Sequence, residues 1–184
     1  MPAQKIIPSR LHHAAFISTD LERTRRFYEE IIGLPLIATY REVTELFGKA
    51  RRYCHCFFGI EDGSALAFFQ FVDPEDIDKF VQRPPATPFF HTSLKCDQQT
   101  QDAIIGRLSG SDYEPSVQMI DHGYCKSLYV TDPDGVLLEF TVDSDLTDPL
   151  ATNFTDPHGE LARWLAGDRA PNNPLRSDAS AAHG

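Results

Sequence analysis

Two histidines and one carboxylate carry the most chemistry in this sequence: His13 in LHHAAFIS, His91 in PFFHTSLKC and Glu139 in GVLLEFTV. Glu139 is flanked by Val136, Leu137, Leu138 and Phe140. A carboxylate inside such a strand is costly to bury unless it is paired or bound to a metal; the alternative is an edge position facing water. A single strand histidine is commonly a satisfied core or surface residue. Taken together, two imidazoles and a carboxylate suit a divalent transition metal, in a 2-His-1-carboxylate set that leaves positions open for substrate and O2. Gln70, the polar residue of SALAFFQFV, is a further oxygen donor that either ligates or merely lines the pocket.

The elements that must position these residues come twice. LHHAAFIS reads as a strand, and Thr19-Asp20 starts a helix over LERTRRFYEEIIG that Gly33 ends. LIATYREV, RYCHCFFGI and SALAFFQFV then read as strands, the last two joined by the turn residues EDG. PFFHTSLKC, DQQTQDAIIGRL, SVQMI, CKSLYVT and GVLLEFTV repeat the order β-α-β-β-β, with Asp97 as helix cap. The fold class is therefore α+β, with two paired βαβββ modules that bring His13, Gln70, His91 and Glu139 toward one pseudo-two-fold axis. A lead occupies residues 1–10, the first module 11–75, an acidic and proline-rich linker 76–87, the second module 88–143, and a tail 144–184 that holds one short amphipathic helix near 159–166.

Composition narrows the partners. With 184 residues the chain is about one domain long. Its 17 basic and 27 acidic residues give a net charge of −10, which offers no support for nucleic acid or an anionic membrane. No run approaches the roughly 18 apolar residues of a membrane helix. Cys54, Cys56, Cys96 and Cys125 form no CxxC pair and read as buried strand residues of a reducing compartment, so the cytoplasm is the expected location and a small molecule the expected partner. Arg23, Arg25 and Arg26, interleaved with Glu22, Glu29 and Glu30, read as a solvated helix face.

HHAAFISTDLERTRRFYEEIIGLPLI resembles the opening of the vicinal oxygen chelate superfamily, which includes glyoxalase I, fosfomycin-resistance enzymes, bleomycin-binding proteins and extradiol dioxygenases; the resemblance covers residues 11–143. It implies a cupped mixed sheet around a metal site, selects His13 over His12 as ligand, and implies a substrate that chelates the metal through two adjacent oxygens. IDHGYCKSLYVTDPDGVLLE is similar to the extradiol ring-cleavage signature. That similarity implies that His122 contacts dioxygen or the ring and that Tyr129 hydrogen-bonds a catecholate oxygen, with Fe(II) as the metal and O2 as co-substrate. Residues 71–90 lack the additional active-site histidine common in such enzymes. Gln70 matches instead the fourth ligand of a glyoxalase-like lyase or isomerase working with Mn, Ni, Co or Zn. A metal-free binding protein of the bleomycin-resistance kind is a further alternative. Members often form homodimers, and Leu161, Trp164 and Leu165 of the tail helix would either cover a second copy or pack within the monomer.

Overall fold

A computed structural model describes residues 8–81, 87, 89–113, 117–144 and 156–172. Strand β1 (His13–Ile17) leads into α1 (Leu21–Arg25), which widens into a π-helical stretch (Arg26–Ile32), and β2 (Leu36–Leu46), β3 (Lys49–Gly59) and β4 (Ala65–Phe71) follow. After α2 (Pro74–Phe80) the plan recurs as β5 (Thr92–Lys95), α3 (Gln98–Ser109), β6 (Val117–Asp121), β7 (Cys125–Thr131) and β8 (Leu137–Asp143). Helix α4 (Pro157–Leu165) ends the described chain and buries none of its residues. No helix among the described residues is long and apolar enough to cross a membrane.

Local chemistry explains the boundaries. Asp20 accepts from the backbone N–H groups of Glu22 and Arg23, and Asp97 from that of Thr100, satisfying donors that a helix start leaves unpaired. Gly33 closes the first helix at φ 93°, a conformation that a Cβ disfavours. The linker region carries a two-turn helix, α2, because Asp73 caps Pro74 at its first position.

The strands form two four-stranded mixed sheets, ordered β1-β4-β3-β2 and β5-β8-β7-β6. Alternation decides which faces meet. Ala14, Phe16, Phe58, Leu66 and Phe68 of the first sheet pack on Phe27 and Tyr28, while Leu128, Val130, Leu138 and Phe140 of the second pack on Ile104 and Leu108, all within one continuous cluster. The helices thus lie between the sheets, and each sheet turns its other face outward. The fully buried Phe27 and Tyr28 each contribute roughly 2–3 kcal/mol to this shared core.

Polar contacts also join the modules. The Tyr28 hydroxyl donates to Asp132 Oδ2 at 2.9 Å, and Asp132 Oδ1 accepts from the N–H groups of Asp134 and Val136. Asp134 accepts from the Thr19 hydroxyl and from Arg23 Nη2 at 3.1 Å. Arg23 is therefore an inter-module bridge, while Arg25 keeps to the surface with Glu22, Glu29 and Glu30.

Burial, the dominant influence, pushes the Asp132 carboxyl up from 3.8 to about 6. A folded value above the unfolded one gives stability that is complete below pH about 4 and lost as pH rises through about 6. Asp132→Asn, which cannot ionise, should gain on wild type by up to about 3 kcal/mol between pH 4 and pH 8 in urea unfolding, whereas Tyr28→Phe should lose about 1–2 kcal/mol at pH 7. Parallel pH profiles for wild type and Asp132→Asn would contradict this.

Candidate active site

The register of the second sheet assembles a polar cluster on its outward face. β5 sets Ser93 opposite Glu139 and β7 sets Tyr129 opposite the same residue, so all three share a face. His91 immediately precedes β5 and reaches over it, placing Nε2 2.8 Å from Glu139 Oε2. The Tyr129 hydroxyl donates to Glu139 Oε1 at 2.8 Å. His122, held in the β6–β7 turn by its N–H donating to the Cys125 carbonyl, brings Nε2 to 3.3 Å from the Tyr129 oxygen. Since that phenol proton points at Glu139, His122 donates to the phenol oxygen.

Glu139 is 7% exposed, and these neighbours explain how it is tolerated. Burial raises its carboxyl, the largest single effect, but hydrogen bonds involving Ser127, Tyr129 and Ser93, with the His91 charge, outweigh it and leave the group below its usual range. The same carboxylate acts on Tyr129: burial first and Glu139 second push the phenol far above its ordinary value, so it stays protonated.

The first sheet presents His13 on its outward face, edge-on to Phe57 at 5.6 Å. His12 precedes the strand and brings its Nδ1 within 2.7 Å of His13 Nδ1. Gln70 does not share that face. It follows Leu66 and Phe68 toward the helices, accepting from the Leu21 N–H at 3.0 Å and donating to the Thr19 carbonyl at 3.3 Å. The expected fourth ligand is instead a clamp on the start of α1, and period-two geometry is the reason: Gln70 lies an odd number of residues from Ala65, which pairs with His13. The residue that stands to His13 as Glu139 stands to His91 is Ala67, two positions past the strand partner in each module and without a donor atom.

His91, Glu139, Tyr129 and His122 are thus together, whereas His13 is not among them. Within one chain, no three His, Cys, Asp or Glu side chains among the described residues converge as a metal site. The reason is the shared helix layer, which holds the two outward faces apart. Sequence reasoning also missed His55 and Glu42. His55 lies at even spacing from Phe57 in RYCHCFFGI, a signal for the His13 face that only the register makes readable.

Fold and site define a paired βαβββ protein whose second module presents a histidine against a buried carboxylate on its outward face. The chain belongs to the Glyoxalase/Bleomycin resistance protein/Dioxygenase superfamily, whose family model matches residues 10–140. It is 26% identical over 121 residues to a lactoylglutathione lyase of Haemophilus influenzae, covering 66% of this chain and 83% of the relative. Similar folds include the fosfomycin resistance protein FosX of Mesorhizobium loti (24% identity, TM-score 0.50, 79% of this chain and 99% of that one). A glutamate-to-glutamine variant of Listeria monocytogenes FosX, complexed with Mn(II) and 1S,2S-dihydroxypropylphosphonic acid, matches at 20% identity and TM-score 0.51, over 73% of this chain and 92% of that one.

Gln70→Leu should cost about 1 kcal/mol in thermal or urea unfolding through the lost helix-start hydrogen bonds. An unchanged unfolding midpoint in that variant would contradict the clamp.

Proposed function

We propose that this protein is a metal-dependent enzyme for a substrate with two adjacent oxygens, and that its centre is assembled between two copies, His13 from one and His91 with Glu139 from the other. The carrying observation is the 2.8 Å approach of His91 Nε2 to Glu139 Oε2 on an outward face. Neighbouring donors about 2.1 Å from one ion stand roughly 3 Å apart, so this pair fits such an ion. His13 on the outward face of the other sheet is the remaining donor, and a two-fold arrangement of chains would supply it twice. When bound, the divalent ion would hold and acidify the paired substrate oxygens, Fe(II) being suited to O2 chemistry and Mn, Ni, Co or Zn to a lyase.

Extradiol-type cleavage of a catecholic ring is the reading favoured by the His122–Tyr129–Glu139 line. Tyr129 occupies Glu139 Oε1 and leaves Oε2 for the centre, and His122 stands one hydrogen bond behind it, able to exchange a proton with the phenol oxygen. Ala67 supports a three-donor site with open positions. The likeness to a lactoylglutathione lyase favours the second reading, a glyoxalase-like lyase in which Glu139 takes a proton from bound hemithioacetal.

Mixing separates assembly in trans from assembly in one chain. His13→Ala and Glu139→Ala should each bind no Mn(II) by calorimetry, while the two refolded together should recover about a quarter of wild-type sites, since half the pairs are mixed and each has one intact site. No recovery would overturn the shared centre. Fe(II)-loaded protein given catechols without air and then exposed to it should develop a yellow ring-fission product and consume O2. Activity on glutathione hemithioacetal with Ni(II) or Zn(II), independent of O2, would instead establish the lyase.

A further inference from the structure

His55 carries the one buried side-chain nitrogen or oxygen, among the described residues, that has no hydrogen-bond partner: its Nε2. A buried polar atom left unmet lowers stability, and a phenylalanine would fill the same space without that cost. The register places this atom with the site. His13 pairs with Ala65 and His55 with Phe69, four residues further along β4 and so on the same outward face. The imidazole is clamped there, stacked on Phe69 at 3.6 Å and 18° and lying against Phe57 at 4.2 Å. Phe57 in turn touches His13 edge-on, so one aromatic ring separates the two histidines.

Glu42 of β2 faces the other nitrogen, its Oε2 3.8 Å from His55 Nδ1. Burial first, with the His13 charge opposing protonation and Glu42 favouring it, holds the imidazole below its ordinary range, so the ring is neutral. A neutral ring has one N–H, and the carboxylate on the Nδ1 side draws it there. Nε2 is then left with a lone pair and needs a donor.

We propose that His55 is a substrate-binding residue of the chelating site: its ring tilts out from between Phe57 and Phe69 as the ligand enters, so that Nε2 accepts a hydrogen bond from a substrate hydroxyl while the two phenylalanines cover the substrate's planar carbon face. The inference rests on the vicinal-oxygen reading of the centre. It narrows the ligand to a flat, unsaturated molecule that still carries an O–H when it enters, a catechol or enediol rather than a saturated diol. Glu42 is a positioning residue that keeps the acceptor nitrogen directed at the ligand.

The test is anaerobic calorimetric titration of catechol into the full, Mn(II)-loaded chain, for wild type, His55→Phe and His55→Gln. His55→Phe should retain the Mn(II) content, keep or raise the thermal midpoint, and bind catechol about tenfold more weakly. Gln supplies an amide oxygen at a similar reach, and His55→Gln should recover most of the lost affinity. Wild-type affinity in His55→Phe, or equal weakness in both variants, would overturn the hydrogen bond, the latter by assigning His55 a shape role. A lowered thermal midpoint in His55→Phe would overturn it too, by making His55 a support of the fold. Mn(II)-loaded wild type that binds no catechol would refute the vicinal-oxygen reading itself and His55 with it, a result unlike any in which only the variants differ.

Discussion

A single apolar layer governs this molecule. Phe27, Tyr28 and Ile32 of the first module and Ile104 and Leu108 of the second lie between the sheets and are buried by both. Neither helix has enough apolar surface to hide by itself, and sharing one core solves that for both modules. The consequence reaches every polar residue of interest. Because each sheet spends one face on the core, alternate side chains of each strand turn outward, and His13, His55, Ser93, Tyr129 and Glu139 are all on that alternate set.

The two outward faces have diverged although their backbones repeat. The first presents rings: Phe57, Phe69 and His55 beside His13. The second presents hydroxyls and a carboxylate, with Ser93, Ser127, Thr141 and Tyr129 around Glu139. Ala67 and Glu139 occupy matching places, so one half carries a donor there and the other a small apolar residue. The inter-module contacts of Tyr28, Asp132, Asp134 and Arg23 hold the two outward faces of one chain apart.

Much of this was legible in the residues. Hydrophobic alternation and caps such as Asp20 and Asp97 located the strands and helices, because those signals are local and each is physically sufficient. Glu139 stood out as a charge in an apolar strand, and His122 and Tyr129 through the resemblance of their segment to the extradiol signature; the structure joins these three with His91 in one hydrogen-bonded cluster. Gln70 misled because a polar residue in an apolar strand does not declare its face, and its amide serves the α1 start. His55 was invisible for the same reason: its face follows from pairing with Phe69, a partner fourteen positions away in a register that no local pattern states.

The sequence by itself determined the two βαβββ modules, since hydrophobic periodicity and helix caps act within a few residues of each position, and its motif resemblance pointed to the family that the family model matches. Only the tertiary structure decided that Gln70 faces inward, that His55 faces outward with an unmet nitrogen, and that His13 stands apart from His91 and Glu139. Those outcomes depend on strand register and on which sheet faces share the core, and both are set by packing between segments far apart in the chain.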